Sequence, residues 1–122
     1  MTEPKTHTLE VPGAVLRYDV REGAGAGEPP LLMIGSPMDA AGFVSLAARF
    51  PERTVVTYDP RGTGRSVRTD ATVPSPPIHA DDLSRVIAAV GGGPVDVFAS
   101  SGGAVNALAL AAHHPGAVRT LV

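Results

Sequence analysis

The chain has 122 residues, a formal net charge of −2 and 43% hydrophobic residues, the composition of one soluble globular domain. So small a charge gives no reason to expect a nucleic-acid or membrane-surface partner. The absence of cysteine excludes disulfides and thiolate metal sites, and neither a signal peptide nor an apolar run of ~20 residues is visible. We therefore expect a cytoplasmic protein.

The first thirty residues predict a hairpin followed by a loop. Segments 6–11 and 14–20 partly alternate polar and apolar residues around Pro12-Gly13, which indicates two antiparallel strands at a sheet edge. The glycine-rich segment 22–30 has the Gly-x-Gly spacing of a phosphate loop. Pro29-Pro30 and a strand follow it, where a phosphate site needs a helix, so a flexible loop is the better interpretation.

From residue 31 onward, apolar strands alternate with amphipathic helices. Buried strands are predicted at 31–34, 54–58, 95–98 and from 118, and helices at 40–50, 78–90 and 102–113. This alternation is typical of right-handed βαβ units, so we expect an α/β fold with a mostly parallel sheet and flanking helices. No internal repeat and no second domain are apparent.

The segment Val95–Leu108 has the pattern of a strand, a tight turn and a small-residue helix. The turn, Ala99-Ser100-Ser101-Gly102-Gly103, is a variant of G-x-S-x-G in which alanine replaces the first glycine. Such a turn lifts the serine off the sheet and directs the next N–H to the same point. Ser101 is the candidate nucleophile, and Ala99 and Gly103 are small enough for the turn to close. A plain strand-to-helix turn is the alternative.

Two further segments give this motif a context. Leu31 to Pro37 is an apolar strand that ends in Gly-x-Pro, and Tyr58 to Ser66 contains D-x-R-G-x-G-x-S. In this order and spacing, the three segments resemble the oxyanion loop, the turn after the fourth strand and the nucleophile elbow of the α/β-hydrolases. The resemblance covers almost the whole chain, while a complete fold of that family needs about twice this length. We therefore expect residues 1–122 to form the N-terminal part of one domain, a truncated α/β-hydrolase fold.

The resemblance implies hydrolysis of an ester, amide or related bond of a small molecule through an acyl-enzyme on Ser101, with no cofactor and no metal. It also implies an oxyanion hole made by the backbone N–H groups of Ser36 and Gly102. Ser36 is equally well an ordinary turn residue before proline. Met38 and Phe43 could line an acyl pocket, although such residues are more often core or rim. Lyases and cofactor-free haloperoxidases share the fold, so the reaction stays open.

A serine nucleophile needs a histidine base and an acid, which follow it along the chain in this family. No Asp or Glu follows Ser101, and His113 and His114 lie about 18 Å farther along the same predicted helix at 1.5 Å per residue. We interpret both histidines as helix C-terminal residues that meet the negative end of the helix dipole. The base and the acid of the triad are therefore absent after Ser101.

The upstream candidates have simpler interpretations. His79, Asp81 and Asp82 open a predicted helix, where acidic residues are favoured without a catalytic role, and they are too sparse for a metal site. His7 lies on the predicted edge strand and is most simply solvated. Asp59 belongs to the turn after its strand, with a backbone N–H or Arg61 as its expected partner.

Two other classes of protein are alternatives to a hydrolase. The 122 residues could be a catalytically inactive product that acts as a binding module, and its incomplete sheet would then expose a strand edge for self-association. A nucleotide-binding domain is disfavoured because residues 100–103 contain neither G-x-G-x-x-G nor the Walker lysine. For the isolated chain we expect little or no turnover of p-nitrophenyl esters, because Ser101 has no base within reach.

Overall fold

A computed structural model describes residues 3–25 and 27–122; two residues of the N-terminal segment and Ala26 of the predicted flexible loop lie outside the described residues. The described strands are β1 (Lys5–Val11), β2 (Ala14–Arg21), β3 (Leu31–Ser36), β4 (Val55–Asp59), β5 (Val67–Arg68), β6 (Val95–Ser101) and β7 (Val118–Leu121). The described helices are a 3₁₀ helix (Ala40–Phe43), α1 (Val44–Ala47), α2 (Pro76–Ala89) and α3 (Gly102–His113).

The strands form one mixed sheet in the order β1-β2-β4-β3-β6-β7, with β5 beside β2. The predicted hairpin is confirmed: β1 and β2 pair antiparallel from Lys5 opposite Val20 to Val11 opposite Ala14. β2 is also antiparallel to β4 and to β5, whereas β4, β3, β6 and β7 are parallel neighbours. The α/β class with flanking helices is therefore confirmed, and the parallel part of the sheet is its second half.

The apolar run of β3 is buried on both faces because this strand lies inside the sheet. Alternate side chains point to opposite faces. Leu32 and Ile34 join the large core beneath α2 and α3, while Leu31 and Met33 join a smaller cluster with Phe43 on the other face. This burial fixes the position at which β3 ends and the following loop begins.

The prediction of a single helix over 40–50 is wrong. Residues Ala40–Phe43 form a 3₁₀ helix and Val44–Ala47 one α-helical turn, and Phe43 at the junction has φ −106° and ψ 4°. Glycine in a helix interior costs about 1 kcal/mol relative to alanine, and Gly42 is the third residue of the predicted helix. The short helices still bury Phe43 and Ala47, which are 3% and 4% exposed, whereas Phe50, the last apolar residue of the predicted helix, is 39% exposed.

Two boundaries and one additional strand differ from the prediction. α2 begins at Pro76, two residues before Ile78, because proline is well accepted at the first position of a helix. β6 continues past Phe98 to Ser101 because it pairs with β3 as far as Ser36 opposite Ser101. β5 was not predicted. Across residues 3–25 and 27–122, no helix is both long and apolar enough to cross a membrane.

Candidate functional site

Ser101 is the last residue of β6 and immediately precedes α3. Its φ of 55° and ψ of −127° make it the one described residue other than glycine with a positive φ. A side chain in this conformation costs about 1–3 kcal/mol and persists only where the surrounding structure imposes it. The Ser101 side chain is exposed at the end of the sheet, whereas most of β6 is covered. This geometry is that of a strained strand-to-helix turn with an outward serine.

The two glycines after Ser101 let α3 approach β3 closely. A Cβ on Gly102 would lie 2.6 Å from the carbonyl oxygen of Ser36, and one on Gly103 would lie 2.7 Å from both Gly35 Cα and the Ile34 carbonyl oxygen. Both obstacles at Gly103 are backbone atoms, which cannot rotate away. The first helical turn of α3 therefore sits directly beside the end of β3.

Ser36 and Ser101 occupy paired positions at the ends of β3 and β6. Ala99 lies two residues earlier in β6, opposite Ile34, where its methyl group is partly buried against the large core. Alanine fits there because this position is still regular strand. The structure thus brings together Ala99, Ser101, Gly102 and Gly103 on one side and Ser36 on the other.

The loop after β3 is held in part by Met38. An added Cβ on Gly35 would meet Met38 Cβ at 2.8 Å and Phe43 Cζ at 3.3 Å, and one on Gly42 would collide with the Met38 thioether. Phe43 is buried in the smaller core, and Met38 is partly buried against the same cluster. Phe43 is therefore a core residue, and Met38 lies at its rim.

Asp59, at the end of β4, joins this loop to the turn that follows β4. Its Oδ1 accepts the Ala40 N–H at 2.9 Å, and its Oδ2 accepts the Arg65 N–H at 2.8 Å and Arg65 Nε at 2.7 Å. Burial by itself would raise the pKa of Asp59, but the hydrogen bonds from Arg65 and Ala40 outweigh it and lower the pKa. The expected backbone partner is confirmed, and Arg61 as partner is wrong.

Arg61 instead forms a buried ion pair with Asp82 of α2. Arg61 Nε donates to Oδ2 and Nη2 to Oδ1 of Asp82, both at 2.8 Å, and the side chains are only 3% and 0% exposed. Arg61 Nη2 also donates to the Pro12 carbonyl at 2.8 Å. Asp82 is therefore not a first-turn acid as predicted; because α2 begins at Pro76, Asp82 falls in its second turn and faces inward.

Sequence reasoning missed this ion pair although a signal was present. Asp82 is adjacent to Leu83 and lies one helical turn before Val86, so it falls within the apolar stripe of the helix. A carboxylate in such a stripe requires a buried cation. The Tyr58 hydroxyl is buried near the pair, and burial raises its pKa.

The four histidines have other surroundings. His79 lies in the first turn of α2 at 9% exposure, and burial lowers its pKa. His114 Nε2 lies 2.8 Å from Asp81 Oδ1, and His7 stacks on Tyr18 with ring centroids 5.0 Å apart. His113 ends α3, twelve residues beyond Ser101. No hydrogen bond joins a histidine to Ser101 within the described residues. In the same part of the chain, no three His, Asp or Glu side chains form a metal-binding group.

Comparison with known proteins identifies the family of the chain. The family model described as the alpha/beta hydrolase fold matches residues 29–122. YraK, an uncharacterized hydrolase of Bacillus subtilis (strain 168), is 39% identical over 117 residues, which cover 94% of this chain and 42% of YraK. The chain therefore belongs to the alpha/beta hydrolase family.

Two solved structures show the same arrangement of elements. An alpha/beta hydrolase from Novosphingobium aromaticivorans DSM 12444 matches with a TM-score of 0.83 and 25% identity, over 99% of this chain and 44% of that one. A mutant of the N-acyl homoserine lactonase AidH, complexed with N-hexanoyl homoserine, matches with a TM-score of 0.80 and 26% identity, over 98% and 44%. The chain thus spans about two fifths of the length of these relatives.

Proposed function

We propose that the protein to which these residues belong is a serine hydrolase that cleaves an ester, amide or related bond of a small molecule through an acyl-enzyme on Ser101. The observation that carries the proposal is the strained, outward conformation of Ser101 between β6 and α3. Strain of this kind in a non-glycine residue is concentrated at functional sites. The similar hydrolases support the reaction class. One of them, AidH, is named as a lactonase, and a lactone is a cyclic ester.

In the proposed reaction, Ser101 Oγ bonds to the substrate carbonyl carbon while its proton passes to a base. The carbonyl π electrons move to oxygen, and the backbone N–H groups of Ser36 and Gly102 stabilise the resulting oxyanion. Collapse of this intermediate expels the alcohol or amine, which takes the proton back from the base, and leaves the acyl group on Ser101. Water, which gives a proton to the same base, then attacks the acyl carbon, and collapse releases the carboxylic acid and returns the proton to Ser101. The approach of Ser36 to Gly102, and the position of Gly102 at the positive end of α3, support these donors.

The base and its orienting acid are proposed to come from the remainder of the polypeptide. In the described part of the chain, no hydrogen bond joins Ser101 to any of the four histidines, and the chain spans only about two fifths of its relatives. Residues 1–122 would then be the N-terminal part of one hydrolase domain. The 122 residues by themselves would turn over substrate little or not at all, and the open edge of β7 would favour self-association. The lack of cysteine favours a cytoplasmic location.

The test uses the full natural polypeptide and p-nitrophenyl acetate, followed by mass spectrometry of the quenched protein. We expect turnover and an acetyl adduct on Ser101. Ser101→Ala should lower kcat by at least ~10⁴-fold, because loss of a triad nucleophile has effects of that order. Ser100→Ala is the matched control and should retain activity, since Ser100 belongs to regular strand.

Three results would contradict the proposal. The first is a reading frame that ends at Val122 with no turnover, which would favour the inactive or binding module. The second is hydrolysis that survives Ser101→Ala. The third is an acetyl adduct on Ser100 alone. Turnover that requires peroxide and halide would indicate a haloperoxidase on the same fold instead of a hydrolase.

A further inference from the structure

The carboxylate of Asp59 accepts several hydrogen bonds at the edge of the sheet where the candidate site lies. The residue is 2% exposed, and its hydrogen bonds come from the backbone and guanidinium of Arg65 and from the Ala40 N–H. Arg65 also bonds both oxygens of Asp19 at 3.1 Å, on the exposed side of the network. A buried carboxylate with this many donors has one orientation, so the group that it holds is held precisely in place.

The bond to Ala40 matters because of where Ala40 lies in the chain. Residues 37–39 form the loop that leaves β3 after Ser36, and Ala40 is the first residue of the 3₁₀ helix after it. At the near end, Ser36 is fixed by its pairing with Ser101. At the far end, Asp39 provides no side-chain cap, and the Ala40 N–H is taken by Asp59 from a different strand.

We propose that Asp59 is a positioning residue for the oxyanion hole: its carboxylate anchors Ala40, at the far end of the loop that begins directly after Ser36, whose N–H is the proposed donor. This inference rests on the proposed function and adds a residue that takes no part in the chemistry. An oxyanion donor must lie about 2.7–3.1 Å from the developing charge, so a small displacement of the loop weakens it. A misplacement of ~1 Å can cost ~10²-fold in rate.

The test compares Asp59→Asn with Asp19→Asn in the full natural polypeptide. Asn has a neutral amide in place of the carboxylate, so it cannot accept from Ala40 and Arg65 together as Asp59 does. Asp19→Asn alters the same arginine on its exposed side and leaves the Ala40 bond intact. For Asp59→Asn we expect kcat for p-nitrophenyl acetate to fall about 10–100-fold with KM within about twofold; Asp19→Asn should change neither by more than about twofold.

A second readout separates positioning from loss of folded protein. Trifluoroacetophenone adds to a nucleophilic serine, and its carbonyl oxygen becomes an oxyanion in the same hole. Its Ki should rise in Asp59→Asn by about the factor that kcat falls, whereas the circular dichroism spectrum stays that of wild type. A general loss of stability would reduce the amount of active protein and leave Ki unchanged.

Ala40→Pro removes the N–H group that donates to Asp59 and leaves Asp59 itself unchanged. This variant also tests the proposal if Asp59→Asn does not fold. Proline is accepted at the first position of a helix, and Asp39 already has the extended conformation that precedes proline, with φ −98° and ψ −174°. We expect the same fall in kcat and rise in Ki.

Each possible failure has its own meaning. An active wild-type protein with kcat and Ki unchanged in both Asp59→Asn and Ala40→Pro, or in Ala40→Pro alone if Asp59→Asn is unfolded, overturns the positioning role alone. Equal losses in Asp59→Asn and Asp19→Asn also overturn it. A wild-type protein with no Ser101-dependent turnover overturns the proposed function and this role together.

Discussion

Two loops follow strands that end at the same edge of the sheet, because β4 and β6 both run parallel to β3, and the two loops are held in place differently. The elbow, residues 99–103, is held by backbone contact: its glycines leave no room for a side chain against the end of β3. The polar turn, residues 59–66, is held by charged side chains: Asp59, Arg61 and Arg65 bind partners on the 3₁₀ helix, α2 and β2, respectively. The elbow depends on glycines that leave room for β3, and the polar turn depends on side chains that bind partners elsewhere in the fold.

This difference determines how each loop responds to substitution. At Gly102 and Gly103 an added Cβ must displace backbone atoms of β3, so the elbow is sensitive to added volume at these two positions. The polar turn tolerates little change in charge, because each buried ion would be left without its partner. Ser66 shows the same principle on a smaller scale: its Oγ donates to the Asp59 carbonyl at 2.6 Å and accepts the Arg17 N–H at 2.9 Å.

The largest effect is expected for Arg61→Ala in the polar turn. This change leaves Asp82, which is 0% exposed, as an unpaired buried carboxylate and also removes the bond to Pro12. We expect a loss of about 3–5 kcal/mol in the free energy of unfolding, measured by urea denaturation. Arg85→Ala, on the exposed side of α2, is the control and should change the free energy by less than about 0.5 kcal/mol.

A double variant makes this prediction sharper. Replacing both Arg61 and Asp82 by leucine removes the two charges together, and we expect it to be clearly more stable than Arg61→Ala. If the double variant is as unstable as the single one, the cost comes from lost packing and not from an uncompensated charge. The stability of the polar turn would then depend on packing, as that of the elbow does.

The second prediction addresses the elbow through Gly103→Ala. The new methyl group would lie 2.7 Å from Gly35 Cα and from the Ile34 carbonyl oxygen, so β3 and α3 must separate. We expect a loss of about 2–3 kcal/mol in the free energy of unfolding, typical of an overpacked core. Gly116→Ala is the matched control, because no atom lies within 4 Å of the position that its methyl group would take. Equal effects at the two glycines would contradict close contact at the elbow.

The elbow could be predicted from the sequence because its determinants are local. Five consecutive small residues after an apolar strand define the turn, and the alternation of strands and helices gives the fold class. The polar turn could be recognised as a motif, but its partners could not: Asp82 lies 21 residues from Arg61, and Ala40 lies 19 residues before Asp59. Such pairings depend on the tertiary fold, as does the division of residues 40–47 into two short helices.

The smallest effect is expected for Ser101→Gly, and its sign is opposite to the others. Glycine adopts the conformation of Ser101, φ 55° and ψ −127°, without the penalty that a Cβ imposes. Relief of that strain, partly offset by the greater freedom of glycine in the unfolded chain, should raise the free energy of unfolding by about 1 kcal/mol.

Ser101→Ala is the control for the strain, because it keeps the Cβ and removes only the hydroxyl. We expect its free energy of unfolding to stay within about 0.5 kcal/mol of wild type. If alanine stabilises as much as glycine, the gain comes from loss of the hydroxyl and the backbone at Ser101 is unstrained. If glycine alone stabilises, the elbow holds a serine where glycine would be more stable, and the contacts of Gly102 and Gly103 with β3 supply the free energy that keeps it there.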